Sequence, residues 1–121
     1  MNITIVKLGF FGFKNEGKEH EGFKGFLGAN EEIIYSFKGV RDELIFTNKR
    51  VIMLNIQGIT GKKKEFRFFH YNKINSYAIE SSGTFDLDSE VKLVIGSVQY
   101  EFELGKGIDV MAIGRLISDS M

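Results

Sequence analysis

The sequence predicts a mainly β domain, an antiparallel barrel or sandwich of seven strands with one C-terminal α-helix. Three observations support this fold class. Short runs of aromatic and β-branched residues alternate with polar residues from Glu31 onward. The chain has no proline, which favours uninterrupted hydrogen-bonded ladders. After the last alternating run, the apolar spacing changes to that of a helix.

The first 29 residues differ in composition from the rest of the chain. The dipeptide Gly-Phe recurs at 9–10, 12–13, 22–23 and 25–26, and glycine weakens any helix prediction. We predict a partly ordered Phe/Gly-rich arm over 1–29 that can carry a short helix, followed by the domain proper over 30–121. The arm's phenylalanines require cover, either from the body of this chain or from another copy.

The seven predicted strands follow one another at roughly even spacing, which is typical of a small barrel or sandwich. The first two turns are expected at 47–49, where Asn48 suits a turn, and at Gly58–Gly61. In the last strand, Val98, Tyr100, Phe102 and Leu104 should face inward. The strands lie in the segments EEIIYSFKGV, DELIFTN, KRVIMLNIQG, KKEFRFFHY, NSYAIESSG, SEVKLVIGS and VQYEFEL.

The chain should end in one amphipathic helix. Gly105 and Gly107 interrupt the last strand, and Asp109 is a suitable N-cap. One stripe of apolar side chains should pack on the strands. That stripe consists of Val110, Ile113, Leu116 and Ile117.

Charge is balanced over the chain but unevenly distributed. Nine Lys/Arg face three acids between residues 38 and 73, whereas six acids face one base between 80 and 103. Two solvated sheet surfaces explain this pattern, and the sharper alternative is one subunit's basic surface meeting its neighbour's acidic one. The chain has no cysteine, which excludes thiol chemistry, and Lys7 interrupts the apolar N-terminus, so we expect no signal peptide and a cytoplasmic protein.

The stretch GTFDLDSE places Asp86, Asp88 and Glu90 at alternate positions. A calcium loop counted from Asp86 would require Gly and Glu where Val91 and Ser97 stand. We therefore interpret the three carboxylates as the polar side of the start of a strand, where they also discourage unwanted edge pairing. We expect no metal and no cofactor.

The stretch GITGKKK has neither the spacing nor the following Ser/Thr of a phosphate-binding loop. A hairpin with glycine turns and exposed lysines explains it better. Lys62, Lys63 and Lys64 can still hold an anion or a lipid headgroup as point charges.

No arrangement of nucleophile and base supports catalysis. His70 is expected to be packed beside Phe66 and Phe68, and His20 lies in the arm. A carboxylate site at Glu80, Asp86 and Asp88 is the weakest alternative. Overall neutrality argues against nucleic acid as a partner.

Several short motifs of this sequence, taken in order, closely resemble those of the bacterial pleckstrin-homology-like domain family, long catalogued as a domain of unknown function. The resemblance covers about 31–121. Four motifs carry it. The pattern R-D-x-x-x-F-T-x-x-R falls on Arg41, Asp42, Phe46, Thr47 and Arg50, and Q-G-x-T-G-K-K falls on Gln57, Gly58 and Thr60 to Lys63. The motif Y-x-x-I falls on Tyr71 and Ile74, and E-x-x-G-T-F-D-x-D-x-E falls on Glu80, Gly83 to Asp86, Asp88 and Glu90.

The resemblance implies seven antiparallel strands in two orthogonal sheets, a helix across one end, and rings formed through strand edges. It also implies ion pairs. Arg41 should pair with Asp42 internally, and the acids Glu80, Asp86, Asp88 and Glu90 are candidates for pairing with bases such as Arg41, Arg50 or Lys62, within one subunit or across two.

Two classes of function follow. The leading hypothesis is a non-catalytic, ring-forming interaction module that binds itself and a protein or peptide partner by strand addition. The alternative is an anionic membrane surface as partner, bound through Lys49, Arg50, Lys62, Lys63 and Lys64. Eukaryotic relatives often bind phosphoinositides through bases near the first hairpin, and Lys38, Arg41, Lys49 and Arg50 occupy roughly that region here.

Overall fold

The computed structural model describes residues 2–10, 12–13, 21–81, 89–105 and 107–121. These residues form nine strands and two α-helices, with a 3₁₀ turn at Tyr71–Lys73. In chain order the elements are β1 (Thr4–Phe10), β2 (Gly12–Phe13), α1 (Glu21–Lys24), β3 (Ile33–Lys38), β4 (Glu43–Thr47), β5 (Arg50–Gln57), β6 (Lys63–His70), β7 (Ser76–Glu80), β8 (Ser89–Ile95), β9 (Val98–Leu104) and α2 (Val110–Asp119).

The strands form two sheets that pack on each other. One has the order β2-β3-β4-β5-β6 and the other the order β1-β9-β8-β7. Within the described ranges, no strand of one sheet pairs with a strand of the other, so the arrangement is a sandwich and not a closed barrel. The mainly β class is confirmed, and the seven predicted strands correspond to β3–β9.

The main core lies between the two sheets. Val91 and Leu93 of β8 and Phe102 and Leu104 of β9 are fully buried, as the alternation in these strands predicts. They pack against the inward residues of the five-stranded sheet and against α2. The predicted inward face of β9 is therefore confirmed.

The C-terminal helix also agrees with its prediction. The Asp109 side chain accepts a hydrogen bond from the Ala112 backbone N–H at 3.2 Å, so Asp109 is the N-cap. Val110, Ile113 and Ile117 are buried in the core, and Leu116 is partly buried against it. The helix therefore closes one side of the sandwich with its apolar stripe.

Part of the predicted arm belongs to a sheet. β1 pairs with β9 in parallel along its whole length, from Thr4 opposite Val98 to Phe10 opposite Leu104. Phe10 is buried between the sheets, where its ring meets that of Phe102 edge-on. The division of the chain at residues 29 and 30 stays a prediction.

A second apolar cluster lies on the outer face of the five-stranded sheet. Ile45, Ile52 and Leu54 are buried there beneath Phe23 and Leu27. Phe23 and Leu27 belong to residues 21–32, which we call the strap. The strap contains α1, the short helix predicted for this region, and this chain covers Phe23 without help from another copy.

The two predicted hairpin turns are present. Asn48 and Lys49 join β4 to β5. The β5–β6 turn places Gly58 and Gly61 at φ of 80° and 69°, where a side chain would be strained. One expectation was wrong: His70 is exposed, because it stands at the end of β6, beyond Phe66 and Phe68, which pack with the strap's cluster.

Candidate functional site

Arg50 is held at the centre of a polar network beneath the strap. Its Nε and Nη2 donate to the Glu31 carboxylate at 3.0 and 3.1 Å. Nη2 also donates to the Phe26 carbonyl at 2.6 Å, and the guanidinium lies 4.8 Å from the centre of the Phe68 ring. The Glu31 side chain is only 1% exposed, so this ion pair is largely withdrawn from solvent.

The network fixes the charge of Glu31. Burial raises the pKa of the Glu31 carboxyl, but hydrogen bonds from the Gly28 N–H, Arg50 and Thr47 outweigh it and hold the pKa below its ordinary value. Burial also raises the pKa of Tyr71, and the charge of Glu31 adds to the rise. The Tyr71 hydroxyl donates to the Thr47 carbonyl at 2.6 Å.

Neighbouring residues fasten the strap to the β4–β5 turn. The Asn48 side chain accepts from the Glu32 N–H at 2.8 Å and donates to the Asn30 carbonyl at 2.9 Å. Lys49 Nζ donates to the Ala29 carbonyl at 2.9 Å. Lys49 and Arg50, both predicted anion-binding candidates, are therefore engaged in holding the strap.

The other predicted bases lie at the far end of β5. Arg50 is opposite His70, whereas Gln57 is opposite Lys63. Eight residues of extended strand place Arg50 roughly 20 Å from Lys63. The structure thus separates the five candidate bases into two groups, and only Lys62, Lys63 and Lys64 remain together, all exposed.

We call the group formed by Val40, Arg41, Ile59 and Lys62–Lys64 the basic end. It combines two adjacent turns, because Arg41 Nη2 reaches from the β3–β4 turn to the Gly58 carbonyl at 2.6 Å. At the tips of these turns, Val40 is 85% exposed and Ile59 is fully exposed. Apolar tips beside four bases were not anticipated, because sequence alone does not show which loops meet.

Arg41 and Asp42 direct their side chains to different backbone groups. Asp42 Oδ1 accepts from the Ile56 N–H at 3.0 Å, while Arg41 donates to Gly58. Both bonds join the β3–β4 turn to the end of β5. The internal pair expected between these two residues is replaced by this bridging of turns.

The outer face of the four-stranded sheet is acidic. Glu80 lies opposite Glu90, and Glu90 opposite Glu103, so three carboxylates share one cross-strand row. Lys92 Nζ contacts Glu80 at 2.9 Å. Burial raises the pKa of Glu90, and the nearby Glu101 adds to the rise although Lys92 opposes it.

The carboxylates singled out in the sequence are only partly brought together. Glu80 pairs with Lys92 of its own sheet, and Glu90 lies beside it, whereas Asp86 and Asp88 lie outside the described residues. Within the described ranges, no three His, Cys, Asp or Glu side chains are grouped to hold a metal ion.

In the described part of the chain, four strands stand at sheet edges: β2 and β6 in one sheet, β1 and β7 in the other. β1 and β6 are the long ones, with seven and eight residues. Next to β7, a Cβ added at Gly114 of α2 would lie 3.6 Å from Ile79, so the helix packs closely along that strand.

Comparison with known proteins defines the class of this fold. A DUF1696 family protein with a pleckstrin-homology domain from Shewanella loihica PV-4 superposes with a TM-score of 0.76 at 35% identity, over 90% of this chain and 96% of that one. A pleckstrin homology domain from Shewanella amazonensis SB2B gives a TM-score of 0.61 at 37% identity, over 86% of each chain. The sandwich with its C-terminal helix is a pleckstrin-homology-like domain.

The family is shown as well, since the profile described as "Bacterial PH domain" matches residues 5–121. The chain belongs to the bacterial PH domain family. It is 46% identical over 73 residues to the uncharacterised Bacillus subtilis protein YjqA, spanning 60% of this chain and 58% of that protein. It is 33% identical over 91 residues to YozO of the same organism, 75% of this chain and 77% of YozO.

Among the described residues, neither helix has the length and apolar character needed to cross a lipid bilayer.

Proposed function

We propose that this domain is a non-catalytic interaction module that assembles with copies of itself into a closed ring and presents its remaining surface to a protein or peptide partner in the cytoplasm. The observation that carries the proposal is the edge of β1, which has no further strand beside it among the residues that the structure describes. Ile3 and Ile5 are 53% and 54% exposed at this edge.

An open edge strand is a template for pairing with another chain, and natural proteins usually blunt such edges with charge, bulges or short length. β1 is seven residues long, and Lys7 is its one charged residue. A contact between two different surfaces, repeated from copy to copy, closes a ring when the rotation permits. Two half-exposed isoleucines give this contact an apolar component.

Solution mass measured by light scattering on a sizing column tests the proposal. We expect one discrete oligomer, and we expect the double variant Ile3→Lys, Ile5→Lys to run as a smaller species. The control is Val40→Lys, Ile59→Lys, which adds the same charges at exposed aliphatic residues outside the part of the edge formed by Ile3 and Ile5, and it should leave the mass unchanged. A wild-type chain that is monomeric at both low and high salt would refute the proposal.

A second candidate function is favoured by the basic end. Exposed aliphatic tips can enter the interfacial region of a bilayer, while each base near an anionic surface contributes about 1 kcal/mol. Val40 and Ile59 supply the tips, and Arg41 with the three lysines supplies the charge. We propose that the basic end binds an anionic membrane surface.

Sedimentation with vesicles containing anionic lipid tests the second candidate. Binding should fall with salt and be lost in the variant with Lys62, Lys63 and Lys64 changed to Gln. A matched control removes three exposed bases elsewhere, with Lys7, Lys73 and Arg115 changed to Gln, and should retain most of the binding. If the wild-type protein does not bind at low salt, this candidate is excluded.

A further inference from the structure

The free edge of β6 has the geometry of a strand acceptor. All eight residues of β6 pair with β5 in unbroken register, from Lys63 opposite Gln57 to His70 opposite Arg50. β6 is the last strand of its sheet among the described residues. On the side away from β5, alternate backbone N–H and C=O groups are therefore available to another strand.

One face of this edge carries a ledge of aromatic rings. Phe66 and Phe68 are partly buried on the outer face of β6. Phe26 of the strap lies beside both, with its ring centre 4.6 Å from that of Phe66 and 5.2 Å from that of Phe68, and it remains 43% exposed. Apolar side chains of an added strand would pack against these rings.

The same edge is basic. Lys63 and Lys64 are exposed at the start of β6, and Arg67 follows. Alternation along the strand places Lys63 and Arg67 on the face opposite to the rings, whereas Lys64 shares the face of Phe66 and Phe68. Glu65 is the single acid in the strand, and it contacts Arg67 at 3.1 Å. An added strand therefore meets net positive charge along an edge that is apolar on one face, which favours acidic side chains on the other face.

We infer that β6 accepts an extended peptide whose residues alternate between apolar and acidic, adding it as a further strand of the five-stranded sheet. This inference rests on the proposed function in one respect, since it names the class of partner that the interaction module binds. Backbone hydrogen bonds supply affinity, and the alternation of side chains supplies selectivity.

A suitable probe is found in the sequence of this chain. Residues 84–88, TFDLD, alternate apolar Phe85 and Leu87 with acidic Asp86 and Asp88. A fluorescent peptide with the sequence of residues 83–90 therefore has the required chemistry. Its binding to the whole domain can be followed by fluorescence anisotropy.

Two features distinguish strand addition from simple charge attraction. We expect the 83–90 peptide to bind, and a scrambled peptide of the same composition to bind at least tenfold more weakly. Two further peptides carry methyl groups on the backbone nitrogens of alternate residues. One is methylated at the odd-numbered residues and the other at the even-numbered residues. Because successive N–H groups point to opposite sides of a strand, one of the two should lose binding and the other should keep it. Equal binding of all four peptides would overturn the inference.

Variants of the domain test the position of the site. Lys63→Glu with Lys64→Glu should weaken binding of the peptide. The loss should be up to about fivefold for each exposed ion pair between a lysine and a peptide carboxylate that is removed. Lys38→Glu with Arg115→Glu changes two exposed bases on β3 and α2, away from β6, and should have no effect. An equal effect of both double variants would also overturn the inference.

The test of peptide binding at β6 can fail or succeed independently of the test of ring formation. Light scattering reports self-association without the peptide, and anisotropy on the same samples reports peptide binding. An oligomer that fails to bind the peptide refutes the inference alone. A monomer that binds it refutes ring formation and supports the inference.

Discussion

Replacing Glu31 by alanine should destabilise the domain more than any single surface change. The Glu31 carboxylate accepts four hydrogen bonds, from Gly28, from Thr47 and two from Arg50. Removing one partner of a buried ion pair typically costs about 3–5 kcal/mol, because a charge is left uncompensated. Arg50 keeps its bond to the Phe26 carbonyl and is 18% exposed, so we expect the lower end, about 3 kcal/mol.

Urea unfolding followed by circular dichroism measures this loss. The midpoint should fall at unchanged slope, since slope reports the surface exposed on unfolding. The melting temperature should fall by roughly 10 °C, given about 3–5 °C per kcal/mol for a domain of this size. The double variant Glu31→Leu, Arg50→Met should recover part of the loss, because neither charge remains buried. A single variant as stable as the wild type would refute the argument.

The pH dependence of this loss has a definite sign. The pKa of Glu31 is lowered in the folded state, so its stabilising contribution is complete above its unfolded value of about 4.3 and decreases as pH falls through the folded value. The difference in unfolding free energy between wild type and Glu31→Gln should therefore shrink below about pH 4. A difference that grows on acidification would contradict the assigned charge.

Three further predictions concern packing and capping. Gly39→Ala should cost about 1–3 kcal/mol in urea unfolding, because the added Cβ would lie 2.8 Å from the Gly9 carbonyl oxygen; unchanged stability would show that β1 yields at this contact. Asp109→Ala removes the helix cap and should cost about 1 kcal/mol, whereas Asp109→Asn should retain most of it. Leu116→Asp places a charge on the partly buried side of α2 and should lower the melting temperature, and an unchanged melt would refute the packing of this helix face.

The sequence was sufficient to predict β3–β9 and α2, because the residue patterns that identify these elements are local. Alternation set the inward face of β9, and the spacing after Asp109 set the buried face of α2. It was insufficient for β1, whose partner lies at the other end of the chain. Since β1 covers one side of β9, Glu101 faces outward as predicted and is nevertheless buried, with Gln99 donating to it at 2.6 Å.

The candidate sites were predicted less well, because they depend on which loops meet. Five bases appeared as one group in the sequence, yet β5 separates them. Glu31 gave no signal, because an acid just before a strand is usually solvated. Its partner Arg50 is nineteen residues away, and the two are brought together by the pairing of β3 with β4 and by the turn between β4 and β5.

The parallel pairing of β1 with β9 also sets an order on folding during synthesis. More than ninety residues separate Thr4 from its partner Val98, and closing a loop of that length costs about 4 kcal/mol of chain entropy plus a constant. The ribosome therefore completes β1 long before it completes β9. Throughout that interval β1 lacks β9, the strand with which it pairs in the folded domain, and an unpaired strand is a template for pairing with another chain.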